Sequence, residues 1–259
     1  GGYDSAQGTY DADFYLWFKG TDVPTTFEIM NGAVTSADAI VDNSTFRMYR
    51  VRATLFATPD YSDYPLDHQT LSIIIEDSYN TVEEFRYVAD PEGIGIDPRL
   101  NILGWDITSS SAQVSGSFYS NWGETYPRYE QSVTIARPFS SLLKFLLPAF
   151  LIAFVSWLMF IIPRKNFDTR ILLGFSALLS AVTLHMTITA SIPPMGILTL
   201  ADKMMIALYS FIVVTMGMVV VVEVLREKEK HREAVILDRW DMIISIIVPF
   251  VVYALIGSL

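Results

Sequence analysis

An extracellular all-β sandwich followed by an all-α four-helix transmembrane bundle is the fold this sequence predicts, and three observations predict it. Hydrophobic residues make up 51% of the chain and the mean hydropathy is +0.36, more apolar than an ordinary soluble domain. The charge is divided, with 20 of the 28 acidic side chains in residues 1–137 and 10 of the 18 basic ones in residues 138–259. Hydrophobic patterning also changes at that boundary, from short alternating runs to long continuous ones.

Residues 1–137 read as strands. Runs such as Thr45-Phe46-Arg47-Met48-Tyr49-Arg50-Val51-Arg52 and Leu71-Ser72-Ile73-Ile74-Ile75 are β-branched or alternating, and clusters of Asp, Asn, Gly and Pro separate them. Short strands in this arrangement suggest a sandwich. The last strand, Gln131 through Ile135, runs into Arg137-Pro138 without a linker, so a rigid junction is expected.

Four apolar stretches follow, Pro138 to Ile162, Ile171 to Ile192, Met204 to Val222 and Met242 to Leu259. Each is about long enough to cross a ~30 Å hydrocarbon core at 1.5 Å per residue. The expected helices are about 138–162, 168–192, 201–226 and 239–259. Arg164, Lys165 and Arg170 lie between the first and second stretches, and Arg226, Lys228, Lys230, Arg232 and Arg239 between the third and fourth. The positive-inside rule places both segments in the cytoplasm and the acidic domain, the Pro193-Pro194 turn and the C-terminus outside. The mixed charges from Glu223 to Asp241 read as helix extension rather than a cytoplasmic domain. Four buried helices of a soluble protein are the alternative that lengths and charges disfavour.

The second stretch carries polar residues that a lipid anchor does not need. Leu172, Ser176, Leu179, Thr183, Thr187 and Ala190 recur at steps of three or four and form one stripe along a helix. Around a symmetry axis the stripe would line a water-filled path, with the Leu179 ring as a gate that closes by dewetting and the hydroxyls offering oxygen to an ion. The alternative is hydroxyls serving as helix–helix contacts. Asp168, one turn earlier on the same stripe, would form a carboxylate ring favouring cations, and would equally serve as a helix N-cap, with Arg170 partly neutralising it. His185 falls off the stripe and reads as a packing residue or, alternatively, a proton sensor. Lys144 is placed to snorkel to the interface.

The absence of cysteine excludes disulfides, thiolate metal sites and a thiol nucleophile, and His68, His185 and His231 are too scattered for a metal motif. A Ser-His-Asp order, a His-x-x-x-His pair, a glycine-rich phosphate loop and paired carboxylates are all missing from the spans, so an enzyme is not expected. Nor is a nucleic-acid partner. The chain starts at Gly1 with no charged and apolar leader pattern, and any signal peptide or upstream segment is expected to lie outside it.

The loop Pro59-Asp60-Tyr61-Ser62-Asp63-Tyr64-Pro65-Leu66-Asp67-His68-Gln69-Thr70-Leu71 resembles the signature loop of the pentameric ligand-gated ion channels, the Cys-loop receptor superfamily. Ala57 and Leu71 stand where animal members have paired cysteines, an absence usual in the prokaryotic branch. Gly104-Trp105-Asp106-Ile107 is similar to a bacterial Gly-Trp-Asp-Ile segment, and Arg137 and Pro148 match the arginine before and the proline within the first span. Ser176-Ala177-Leu178-Leu179-Ser180 resembles the pore segment, with Leu179 at the gate leucine, and Pro193 matches the proline of the following turn.

The resemblance implies a homopentamer, each chain with four identical partners, in the bacterial inner membrane, with the N-terminal domain and C-terminus periplasmic. It also implies a ligand-binding domain at 1–137 and a pore domain at 138–259. Permeant cations and an unidentified small-molecule or ion effector are the expected partners besides lipid, and no cofactor is required. Tyr64, Pro65 and Asp67 would press on the turn at Pro193, with Arg137 ion-paired to Asp67. The short N-terminus is similar to that of bacterial members carrying additional periplasmic domains. Met30, not an aromatic residue, falls at the first agonist loop and Tyr79 near the second, while the third holds Phe118, Tyr119, Trp122, Tyr126 and Tyr129. These aromatics are candidates for ligand contact or for hairpin packing. Asp60, Asp63, Asp67, Glu76, Asp77, Glu83 and Glu84 are candidate Ca²⁺ ligands, with Ca²⁺ as a modulator, or else solvated surface charge. A non-conducting transmembrane sensor is the rival from another class.

Overall fold

A computed structural model describes residues 2–21, 23–24, 26–163 and 165–257. The expectations placed on Arg164 and on Leu259 fall outside these residues, as do those on the side chains of His231 and Arg239. Two compact units are resolved, one of residues 1–60 and 67–138, the other of residues 61–66 and 139–259. The segment 61–66 thus belongs with the helices, although sequence patterning groups it with the strands.

The first unit is all-β. Strands β1 (Tyr3–Asp4), β2 (Thr9–Lys19), β4 (Gly32–Asp42) and β5 (Phe46–Phe56) form one sheet in the order β1-β2-β5-β4. Strands β3 (Glu28–Ile29), β6 (His68–Glu76), β7 (Asp106–Tyr119) and β8 (Glu124–Ala136) form the other in the order β3-β6-β8-β7. All these pairings are antiparallel. In β5 the buried residues are Val51, Ala53 and Leu55, the period of two that a half-buried strand requires. Tyr10, Ala53 and Leu55 from one sheet meet Leu71 and Ile135 from the other, and Ile102 and Trp105 complete that core. Residues on facing sheets sharing one core make the unit a sandwich.

Gly8 turns the chain between β1 and β2 at φ +66°, and its carbonyl accepts a hydrogen bond from Ala57 N at 2.7 Å. A Cβ there would lie 2.5 Å from the Ala57 carbonyl oxygen. Left-handed backbone and a backbone clash coincide, so Gly8→Ala is expected to cost about 2 kcal/mol and lower the midpoint of thermal unfolding. An unchanged midpoint would show that the turn rearranges freely.

The second unit is helical, with α1 (Phe139–Trp157) continued by a 3-10 turn (Leu158–Phe160), then α2 (Phe167–Thr189), α3 (Leu200–Glu227) and α4 (His231–Gly257). Phe139–Phe160, Phe167–Thr189 and Leu200–Glu227 are each long and apolar enough to cross a membrane, while α4 carries a shorter apolar run, Ile243–Ile256. The fourth helix starts at His231 rather than near 239 because its charged first turns are good helix formers, joined by the Lys230–Glu233 pair. A three-residue turn at 228–230, with Glu229 at φ 59°, joins α3 to α4. Gly174, Ala177 and Ala181 give α2 a small-residue face buried in the unit, and a Cβ on Gly174 would lie 2.6 Å from Met216. Such faces let membrane helices pack closely.

Candidate functional site

In α2 the residues of the polar stripe and the residues of the packing face separate cleanly. Arg170, Gly174, Ala177, Ala181 and Ile188 are buried, whereas Asp168, Leu172, Ser176, Leu179, Thr183, Thr187 and Ala190 are all exposed within the single chain. Leu172 and Leu179 are 68% and 69% exposed. The hydroxyls of Ser176, Thr183 and Thr187 donate to the carbonyls of Leu172, Leu179 and Thr183 at 2.9, 3.0 and 2.9 Å. With each hydrogen committed to the helix backbone, what these oxygens present outward is lone pairs. Lone pairs suit a hydrated cation better than an anion.

Asp168 lies in the first turn of α2, where a carboxylate is favoured by the helix dipole, and Asn166 occupies the N-cap. Asp168 is therefore not the capping residue. Arg170 is 2% exposed and its Nε donates to the Met159 carbonyl at 2.9 Å, tying α2 to the end of the 3-10 turn. Its guanidinium is turned into the unit, and among the described residues Asp168 has no ion-pair partner. Among the described residues Asp168 and Arg170 form no ion pair within the chain, since residues two apart on a helix face different sides.

Segment 61–66 binds the head of α3. The Ser62 and Tyr64 carbonyls accept from Leu200 N and Ala201 N at 2.8 and 2.9 Å, and the Tyr64 hydroxyl lies 3.0 Å from Ser191 Oγ, two residues before Pro193. The Tyr64–Pro65 peptide bond is cis. In the strand unit, Asp67 is 1% exposed and accepts from Arg137 Nε at 2.6 Å and Gln69 Nε2 at 2.8 Å. The Arg137 guanidinium also lies 4.5 Å from the Trp105 ring centroid.

Sequence reasoning missed Asp202. Its Oδ2 accepts from Thr199 N and Thr199 Oγ1 in a capping box at the start of α3, while its Oδ1 lies 2.8 Å from His185 Nε2 on α2. Thr199-x-x-Asp202 ahead of an apolar run is the signal that could have found the cap. Nothing in the sequence pairs Asp202 with His185.

At the β7–β8 hairpin, the rings of Tyr119, Trp122 and Tyr126 pack with centroids 5.5 to 6.3 Å apart. The Tyr119 hydroxyl donates to Glu76 Oε2 at 2.8 Å, and Arg128 holds the other Glu76 oxygen. Tyr126 donates to Glu124, and that bond raises the Tyr126 pKa. Tyr79 and Phe118 are 76% and 65% exposed and stand outside this cluster. Tyr129 donates to Gln131 instead. Met30 is exposed.

The acidic candidates do not converge. Glu76 is held by Arg128 and Tyr119, Asp77 Oδ1 accepts from the Tyr79 and Asn80 amides, and Glu84 accepts from Thr81. Among the described residues no three His, Cys, Asp or Glu form a group able to hold a metal ion.

A strand sandwich accompanied by apolar helices long enough to cross a membrane, one of them striped with polar residues, describes a membrane protein. No protein-family model matches the chain. It is similar to gamma-aminobutyric acid receptor subunit rho-2 of Homo sapiens, 27% identical over 192 residues that cover 70% of this chain and 41% of the relative. It is similar also to subunit rho-1 of Homo sapiens, 28% over 164 residues covering 62% and 34%, and to subunit rho-3 of Rattus norvegicus, 25% over 194 residues covering 71% and 42%. The chain spans less than half the length of these relatives.

Proposed function

We propose that this chain is a subunit of a ligand-gated ion channel of the Cys-loop receptor type, assembling as a homopentamer that conducts cations. The observation that carries the reading is the α2 stripe, exposed along its whole length while the opposite face is packed. A helix with lipid on that face has no use for three outward hydroxyl oxygens, whereas five copies facing an axis would line a pore with them. Similarity to receptor subunits and to the signature loop at Pro59–Leu71 supports the same reading, and neither points to an enzyme. The basic residues between helices support an orientation with the strand unit and C-terminus outside the cytoplasm. The missing cysteine pair and the Gly104–Ile107 segment favour the prokaryotic branch and the inner membrane of a bacterium.

Asp168 is proposed to set charge selectivity, as a ring at the cytoplasmic mouth. The test is current through purified protein in a planar bilayer under asymmetric NaCl. Discrete cation-selective steps support the channel, and added millimolar Ca²⁺ shows whether that ion modulates it. Asp168→Asn is expected to move the reversal potential by tens of millivolts toward the chloride side. An unchanged reversal potential would remove Asp168 from selectivity. Persistent silence over a range of small-molecule effectors would favour the non-conducting sensor.

A further inference from the structure

His185, Tyr209, Asp202 and Thr199 form one hydrogen-bonded cluster joining the outer half of α2 to the head of α3. His185 Nε2 lies 2.8 Å from Asp202 Oδ1, and His185 Nδ1 lies 3.0 Å from the Tyr209 hydroxyl. Asp202 in turn holds Thr199 in the capping box, and the next two amides of α3, Leu200 N and Ala201 N, donate to the Ser62 and Tyr64 carbonyls. The Asp202 carboxylate thereby sits between α2 and the α3 head that segment 61–66 holds. Nothing in this route passes through Pro193.

The geometry accommodates both protonation states of the imidazole. When His185 is neutral, Nε2–H donates to Asp202 and Nδ1 accepts from the Tyr209 hydroxyl. When it is charged, Nδ1 becomes a donor to the Tyr209 oxygen, and the Tyr209 hydrogen needs another acceptor. The Ala181 carbonyl, 3.4 Å from that hydroxyl, is in place to take it. A hydroxyl able to swing between two acceptors keeps every group bonded in either state. Asp202 accepts as a carboxylate in either state, so protonation turns a bond with one charged partner into an ion pair with a charge on each side. Lys203 follows Asp202 and its backbone amide donates to the Thr199 carbonyl, and Lys144 is the single charged residue of α1 and is exposed; among the described residues neither ammonium is seen bonded to the cluster.

We infer that His185 and Asp202 are positioning residues for gating, a latch between α2 and α3 that tightens when His185 takes up a proton. The inference rests on the channel reading only for its consequence in current. The latch itself is a property of the helices.

Two readouts on the full chain separate the two ideas. Open probability in planar bilayers is measured from pH 8 to pH 5. In parallel, hydrogen-exchange protection of the amides from Thr183 to Thr189, corrected for intrinsic rates, is followed over the same range. Wild-type protection is expected to rise by about fivefold or more toward pH 5. His185→Gln should flatten that dependence, and Tyr209→Phe, which leaves the capping box untouched, should weaken it. Asp202→Asn combined with His185→Gln should remove no more of the pH dependence than either alone. Currents whose pH dependence survives in His185→Gln, or effects of the two substitutions that multiply, would overturn the latch and leave the channel standing. A pH-dependent protection lost in the variants, in a protein that never conducts, would uphold the latch and reject the channel.

Discussion

Leu179→Ser is expected to raise the open probability by tenfold or more. Leu179 is 69% exposed within the chain and lies between the Ser176 and Thr183 positions of the stripe, so in a pentamer it would form an apolar ring between two polar ones. A constriction of this kind closes by expelling water, and the closed state gains from the apolar surface its five leucines share. Burying a leucine side chain fully is worth about 1.5–3 kcal/mol. A tenfold change in an equilibrium needs only about 1.4 kcal/mol. If each of five subunits forfeits even a small part of its leucine's contribution, the sum exceeds that threshold. The substitution does not touch the packing face, since Ala177 and Ala181 are the buried neighbours, so the bundle should remain folded. Leu178→Ser supplies the contrast, because Leu178 packs against the helical core and its loss should destabilise the unit without wetting a pore. Single-channel recording in bilayers decides the matter, and an unchanged open probability for Leu179→Ser would remove that residue as the gate.

What the sequence made legible follows from periodicity. A period of two exposed the strands, long apolar runs exposed α1 to α3, and steps of three and four exposed the α2 stripe, because each is a local property of consecutive residues. The relation between α2 and α3 was not legible. Arg170 sits two residues from Asp168, close enough in sequence to suggest a shared ring, yet helical geometry sends it to the Met159 carbonyl on the other side. His185 read as an off-stripe packing residue, and its partners Asp202 and Tyr209 lie 17 and 24 positions away. The tie between segment 61–66 and α3 is made by backbone carbonyls and amides, which carry no side-chain signature. The acidic candidates show the converse. Closeness in sequence does not imply convergence, and Glu76 and Asp77, adjacent in the chain, are held by different partners.

Asp67→Ala is expected to be the most destabilising single change in the strand unit, at about 3–5 kcal/mol. Asp67 is 1% exposed and its two oxygens are taken by Arg137 Nε and Gln69 Nε2, while Arg137 also lies over the Trp105 ring. Deleting the carboxylate deprives a mostly buried guanidinium of its counter-ion and Gln69 of an acceptor. That loss exceeds what the intact pair contributes, because desolvating both charges offsets much of their attraction. Asp67→Asn keeps an oxygen to accept one bond and should cost less. The exposed Asp97–Arg99 pair is the control, since Arg99 is 90% exposed and solvent screens the attraction. Asp97→Asn should leave the unfolding midpoint unchanged. Because β6 and β8 begin and end at this pair, with His68 opposite Ala136, its loss should also loosen the register at that end of the sheet. Thermal unfolding of the full chain, with exchange protection at Gln69 and Ile135, measures both effects. A midpoint for Asp67→Ala that matches the Asp97→Asn control would mean that the buried pair is dispensable to the sandwich, and any role in gating would then have to be sought without it.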